Sequence, residues 1–239
     1  DDAFLSKNAP TFLYFHGNAG NIGLRMPNYK YLVETCGANV FAIDYRGYGE
    51  SNGKPSERGL CVDAVDAYNY LCTRGDVIDT SRIVVFGRSL GGAVATHLVA
   101  KLLVDHRGGK KGRPLPACVV LENTFTSVEE MAVRLFPLIL IVRFLLARLL
   151  TNKWNNASRI PKITLPMLFL SGARDQIVPP EHMQQMFRIA RDAAKQRDKD
   201  HVHIEVFPES GHNDIPFVAG KKNVHYFDVI SAFLKKHAT

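Results

Sequence analysis

Three side chains of the kinds that carry out acyl transfer follow apolar runs of this 239-residue chain. Gly87-Arg88-Ser89-Leu90-Gly91 has the form G-x-S-x-G and comes directly after the run RIVVF. Average glycine and serine usage yields that pattern by chance in about one chain of this length in ten, so its setting matters more than its letters. Here it follows a strand-like run and opens a helix-like one. Glycines permit a sharp turn there that forces the Ser89 hydroxyl outward at the sheet edge. A helix start also favours developing negative charge. A serine hydroxyl is a weak nucleophile until a base takes its proton, and the base needs an acid to orient it. The fifth apolar run ends in Ser171-Gly172-Ala173-Arg174-Asp175, and the sixth in Glu209-Ser210-Gly211-His212. Asp175 is therefore the candidate acid and His212 the candidate base, in the chain order Ser, Asp, His.

Rivals are present. Glu122 ends the fourth run and could serve as the acid, but Asp175 has the glycine-containing loop and the following prolines. Asp214, two residues from His212, reads as a local turn residue. His201 and His203 have strand spacing, which suits a structural or solvated face. His97, His182, His225 and His237 all fall in helical patterns. An acyl-transfer site also needs backbone N–H donors for the oxyanion. One is expected from Leu90, after the serine. The other is expected from the glycine-rich HGNAGN after the first run, at Asn18, with Ala19 as the near alternative. HGNAGN has neither the Lys-Ser/Thr of a P-loop nor G-x-G-x-x-G spacing.

The elements that must position these residues alternate along the chain. Apolar runs occur at 11–16, 39–45, 82–86, 117–121, 167–170 and 202–207. Helical patterns end at about residue 36 or cover about 57–74, 89–104, 180–195 and 224–236. The second puts Leu60, Ala64, Tyr68 and Leu71 on one stripe. Short Val/Ile/Leu/Phe runs between helices predict parallel strands buried on both faces, and so a doubly wound α/β sheet. Ligands of such sheets bind outside the carboxyl ends of the strands, where Ser89, Asp175 and His212 all fall.

Composition agrees with one globular α/β domain over residues 1–239: 46% hydrophobic and 22% charged residues. No internal repeat or 18-residue apolar run is present, so no simple helix spans a bilayer. No secretory signal pattern opens the chain. Cys36, Cys61, Cys72 and Cys118 form no metal-type cluster and read as reduced thiols, which favours a reducing, intracellular compartment. The net charge of +7 sits largely in residues 106–113 and 188–199. These read as solvated stretches, with anionic lipid as the sharper alternative. No aromatic residues interleave with the basic ones, so nucleic acid is not expected as a partner.

The strings FLYFHGNAGNIG, DYRGYGES, FGRSLGGAVA, LENTF, SGARDQIVPP and SGHND together resemble the α/β-hydrolase superfamily, and within it the bud-emergence-type branch. The resemblance runs from about residue 12 to 214. It implies a serine hydrolase with Ser89 as nucleophile, Asp175 as acid and His212 as base, in that superfamily's usual order, with neither metal nor organic cofactor. Members of that branch usually carry a membrane anchor and two or more strands before the HGNAGN strand. The resemblance therefore implies that amino-terminal strands are missing here, leaving an exposed sheet edge, and it does not carry membrane anchorage over to this chain.

A second departure lies between the fourth and fifth runs. Residues 131–150, MAVRLFPLILIVRFLLARLL, are apolar around most of a helix. The uncharged part, 135–142, is too short to span a bilayer. A helical cap at about 125–160 is expected, either buried over the site or sheltering an acyl chain at a lipid interface, with Trp154 beside it. The expectation is a serine hydrolase acting on an ester, thioester or amide through an acyl-enzyme. Small-molecule or lipidated-protein acyl substrates are preferred, with a membrane surface as a possible partner. The rivals are a serine peptidase and a non-catalytic scaffold at a membrane. An epoxide-hydrolase or dehalogenase relative would need a carboxylate where Ser89 stands.

Overall fold

The computed structural model describes residues 5–109, 112–135, 151–194, 199–218 and 225–238. Six strands form one sheet: β1 Thr11–Phe15, β2 Asn39–Ala42, β3 Ile83–Arg88, β4 Cys118–Glu122, β5 Met167–Gly172 and β6 Val202–Phe207. Their order is β2-β1-β3-β4-β5-β6 and every pairing is parallel. The helices are α1 Met26–Cys36, α2 Glu57–Thr73, α3 Leu90–Arg107, α4 Val128–Leu135, α5 Glu181–Ala193 and α6 Tyr226–His237.

Parallel strands cannot be joined by tight turns, so helices cross over and cover both faces. Alternation along β1 shows the result. Phe12 and Tyr14 pack with Tyr29 and Leu32 of α1 and Phe227, Ile230 and Phe233 of α6. Leu13 and Phe15 join the other layer, with Leu60, Ala64, Tyr68 and Leu71 of α2, Leu98 of α3 and Met183 and Met186 of α5. The stripe read from α2 is therefore its buried face. Its start is capped by Ser56, whose Oγ accepts the Gly59 N–H at 3.1 Å, worth about 1 kcal/mol.

Boundaries differ from the sequence reading where polar residues continue or break an element. β3 runs on through Gly87 and Arg88, which pair with Leu121 and Glu122 of β4. β2 stops at Ala42 rather than 45, because Asp44 turns to accept the Ile22 N–H and its carbonyl takes the Ser51 hydroxyl. α3 reaches Arg107, supported by the Lys101–Asp105 ion pair at 2.9 Å. The expected ends at 195 and 224 lie outside the described residues. So do residues 136–150, the middle of the expected cap, and parts of both basic stretches.

The chain leaves β1 toward β2 on one side and returns as β3 on the other. The reversal of direction lies between β1 and β3, the crevice where open α/β sheets hold ligands. The HGNAGN loop leaves β1 and the Ser89 turn leaves β3 at that crevice. Among the described residues all four cysteines are free: Cys61 and Cys118 are buried, Cys36 and Cys72 half-buried.

Candidate active site

Ser89 links β3 to α3 with φ 53° and ψ −119°, a conformation that a residue bearing a Cβ rarely adopts. Three hydrogen bonds hold it there. Its N–H donates to Glu122 O at 2.9 Å, and its carbonyl accepts from the Gly92 N–H at 2.9 Å and Thr124 Oγ1 at 2.7 Å. The flanking glycines are required by close approach. A Cβ on Gly91 would lie 2.0 Å from Phe15 O, and one on Gly87 2.3 Å from Gly91 O.

Asp175 and His212 meet across the ends of β5 and β6. Asp175 Oδ2 lies 2.6 Å from His212 Nδ1, and both side chains are buried. Oδ1 of the same carboxylate accepts the N–H groups of Ile177 and Val178 at 2.9 and 2.8 Å, which fixes its plane. With the Asp175 carboxylate as acceptor, Nδ1 is the donor of this contact and Nε2 faces away from Asp175. The His212 carbonyl accepts from Arg88 Nη2 at 2.7 Å and Asn123 Nδ2 at 3.2 Å. Asn123 also accepts the Gly172 N–H through Oδ1, bridging β4, β5 and the His212 loop. No hydrogen bond joins Ser89 Oγ to His212 among the described residues; Arg88 is the link between them. Contacts of that kind often tighten only when substrate is engaged.

The HGNAGN loop lies against the serine: a Cβ on Gly17 would come within 3.5 Å of Ser89 Cβ. His16 is buried beneath it, its Nδ1 2.7 Å from Gly17 O and its carbonyl accepting the Tyr45 hydroxyl at 2.9 Å. Burial holds the His16 imidazole below its usual pKa, against the opposing pull of Gly17 O and Asp44. Asn18 is exposed, and its Oδ1 accepts the Tyr48 hydroxyl at 2.6 Å. Asn18, Ser89 and Leu90 line one cleft of about 470 Å³, whose walls include Phe125, Met131, Trp154 and Ile177. Ala19, the alternative donor, does not line it. Leu90 opens α3, so its N–H has no partner within the helix. The arrangement thus offers a strained hydroxyl, a carboxylate-anchored imidazole on a neighbouring loop, and backbone donors beside an apolar cleft.

Other candidates separate from this group. Glu122 pairs with Arg88 at 2.9 Å and with the Tyr226 hydroxyl, not with His212. Asp214 closes a turn onto the Gly211 N–H. His182 is buried with Nδ1 2.8 Å from Thr126 Oγ1, and burial followed by Arg134 pushes its pKa down to about 4. His201 meets His237 of α6 edge-on, and His203 lies tilted against it. Four residues that frame the site did not emerge from sequence reasoning: Arg88, Asn123, Tyr48 and Glu57. Glu57 Oε2 accepts the Lys153 and Trp154 N–H groups at 2.7 and 2.9 Å, and Oε1 takes Arg159 at 2.7 Å, fastening the loop that carries Trp154. Only Arg88 had a readable signal, a charge ending an otherwise apolar strand. No group of three or more metal-ligating side chains occurs among the described residues.

Comparison with known proteins places this geometry in context. The family model for the alpha/beta hydrolase fold matches residues 10–137, and that for the prolyl oligopeptidase family matches residues 149–239. Protein bem46 of Schizosaccharomyces pombe is 39% identical over 232 residues, 97% of this chain and 69% of that protein. The alpha/beta hydrolase domain-containing protein WAV2 of Arabidopsis thaliana is 38% identical over 243 residues, 98% of this chain and 73% of its own length. Among solved structures, the Pyrococcus furiosus esterase Pf2001 superposes with a TM-score of 0.70 at 19% identity, covering 100% of this chain and 84% of that one. Carboxyl esterase 2 from Tuber melanosporum gives 0.70 at 18% identity, covering 98% and 80%. At those identities the likeness is one of fold.

Proposed function

Since the chain belongs to the α/β-hydrolase fold family, in the branch that contains protein bem46, we propose that it is a serine hydrolase cleaving an ester or thioester by a two-step acyl-enzyme route. Ser89 is the nucleophile. His212 takes the hydroxyl proton as Ser89 attacks the carbonyl, and Asp175 orients the imidazole and stabilises its cation. The Leu90 and Asn18 N–H groups receive the oxyanion. His212 then gives its proton to the leaving group and activates the water that releases the acid. The observation that carries this reading is the buried 2.6 Å contact between His212 Nδ1 and Asp175, on loops at the sheet edge that also bears the strained Ser89 turn. The apolar cleft walls of Phe125, Met131, Trp154 and Ile177 favour an acyl group, free or on a lipidated protein, as substrate.

A second reading, a serine peptidase, draws on the match of residues 149–239 to the prolyl oligopeptidase family. The same residues serve it, with an amine as leaving group. A membrane surface also belongs to the proposal. No helix among the described residues is long and apolar enough to cross a membrane, but a Saccharomyces cerevisiae relative, 37% identical, is named an uncharacterized membrane protein. Flotation with liposomes tests surface attachment.

The deciding experiment is labelling of the purified chain by a fluorophosphonate, beside Ser89→Ala. Labelling lost only in the variant supports the hydrolase, and acyl esters set against peptide amides then separate the two readings. A folded chain that takes no label would overturn both in favour of a non-catalytic scaffold.

A further inference from the structure

Arg88 and Glu122 form an ion pair in the interior of the sheet. Their side chains are 4% and 0% exposed, and Arg88 Nε lies 2.9 Å from Glu122 Oε1. Taking two charges out of water costs several kcal/mol per ion, so a buried pair is a poor device for stability alone. Burial would lower the Arg88 pKa, but the adjacent Glu122 carboxylate more than offsets it, and the guanidinium stays charged. The fork of the guanidinium shows what the pair accomplishes. Nε faces Glu122, while Nη2 donates to the His212 carbonyl at 2.7 Å and to Asn213 Oδ1 at 2.6 Å. Glu122 is fixed in turn by the Tyr226 hydroxyl of α6 at its other oxygen, at 2.5 Å. Arg88 is bonded to Ser89 through the backbone. One rigid side chain thus starts at the serine and ends on the main chain of the histidine.

On the reading that Ser89 and His212 react together, we propose that Arg88 is a positioning residue that sets the His212 imidazole against the Ser89 hydroxyl, with Glu122 and Tyr226 holding its fork in register. It touches neither substrate nor the reacting atoms. Its contribution is registration: a displacement of the base by about 1 Å costs about 10²-fold in rate. Lysine cannot replace it, because a single ammonium lacks the planar fork that serves Glu122 and the His212 carbonyl at once.

The test compares wild type with Arg88→Lys, with Arg88→Ala, and with the charge-neutral double variant Arg88→Met/Glu122→Gln, which keeps an acceptor for Tyr226. A p-nitrophenyl acyl ester is the substrate, and folding is followed by circular dichroism. Arg88→Lys and the double variant are expected to fold, to lose about 10²-fold in kcat, and to hold KM within about threefold. Millimolar guanidinium is expected to restore part of the kcat of Arg88→Ala. The inference is overturned if the folded double variant keeps its kcat, if the loss falls in KM, or if guanidinium restores nothing. Insolubility of both Arg88→Lys and the double variant would make Arg88 a stability residue and overturn it as well. A folded wild type that takes no fluorophosphonate label would instead overturn the underlying hydrolase reading, and the inference with it; where it takes the label without turning the ester over, the labelling rate replaces kcat in the comparison.

Discussion

Tyr48 holds Asn18, its hydroxyl donating to Asn18 Oδ1 at 2.6 Å from thirty residues further along the chain. The bond holds the Asn18 side chain by its oxygen, and the donor proposed for the oxyanion is the backbone N–H of that residue. Asn18→Ala is therefore expected to lose about tenfold or less in kcat. Asn18→Pro, which deletes the N–H, is expected to lose about 10²- to 10³-fold. Steady-state ester hydrolysis separates the two, and equal losses would assign the donor to the side chain.

The backbone of Ser89 predicts a conflict between stability and reaction. At φ 53° and ψ −119° a side-chain-bearing residue costs about 1–3 kcal/mol, and glycine relieves that strain. Ser89→Gly is expected to be unreactive toward fluorophosphonates while melting several degrees above wild type. A variant less stable than wild type would show that the turn is not strained.

His212 depends on Asp175 for its tautomer. Asp175→Asn keeps the shape but offers the imidazole a donor or a neutral acceptor, and a kcat loss of about 10³- to 10⁴-fold is expected with KM little changed. Rescue of activity in that variant by Glu122 is not expected, since Glu122 is committed to Arg88 and Tyr226.

Much of this arrangement was legible in the chain. Apolar runs such as TFLYFH and RIVVF announce strands buried on both faces, and the loops that follow such runs carry Ser89, Asp175 and His212. The rest was not legible because it is made by partners far apart in sequence. Arg88 meets Glu122 across 34 residues, and Tyr226 meets Glu122 across 104. No local period signals such pairs. Strand ends were misjudged for a related reason: Gly87, Arg88, Ser171 and Gly172 are not strongly apolar, yet all lie in the ladder.

Glu57 predicts an acid-sensitive cleft wall. Burial opposes its ionisation, but the Trp154 N–H, Arg159 and the Lys153 N–H together hold its pKa below the usual carboxylate value. A depressed carboxylate contributes stability that is present above its unfolded pKa, about 4.5, and is lost as pH falls through the lower folded value. Glu57→Gln is expected to cost about 1–2 kcal/mol at pH 7 and nearly nothing in strong acid. Urea titrations at the two pH values measure the difference, and a cost independent of pH would contradict it.

His182 acts in a neighbouring window. Its folded pKa of about 4 lies below the ordinary value of 6.5, so the folded chain binds fewer protons between those values. Stability is full above pH 6.5 and declines as pH falls toward 4. His182→Asn is expected to flatten that part of the stability–pH curve, at some cost in stability at pH 7.

The four cysteines bear on how such a protein meets its chemical surroundings. Burial raises the pKa of Cys36 and Cys61 to about 12 and lifts Cys72 and Cys118 as well. At pH 7 about one Cys36 in 10⁵ is a thiolate, and the thiolate is the form that attacks electrophiles and peroxides. Oxidants and alkylating agents thus find little thiolate to react with at Cys36 and Cys61. A probe that reacts with both hydroxyl and thiol nucleophiles is expected to favour the proposed Ser89 nucleophile over Cys36 and Cys61.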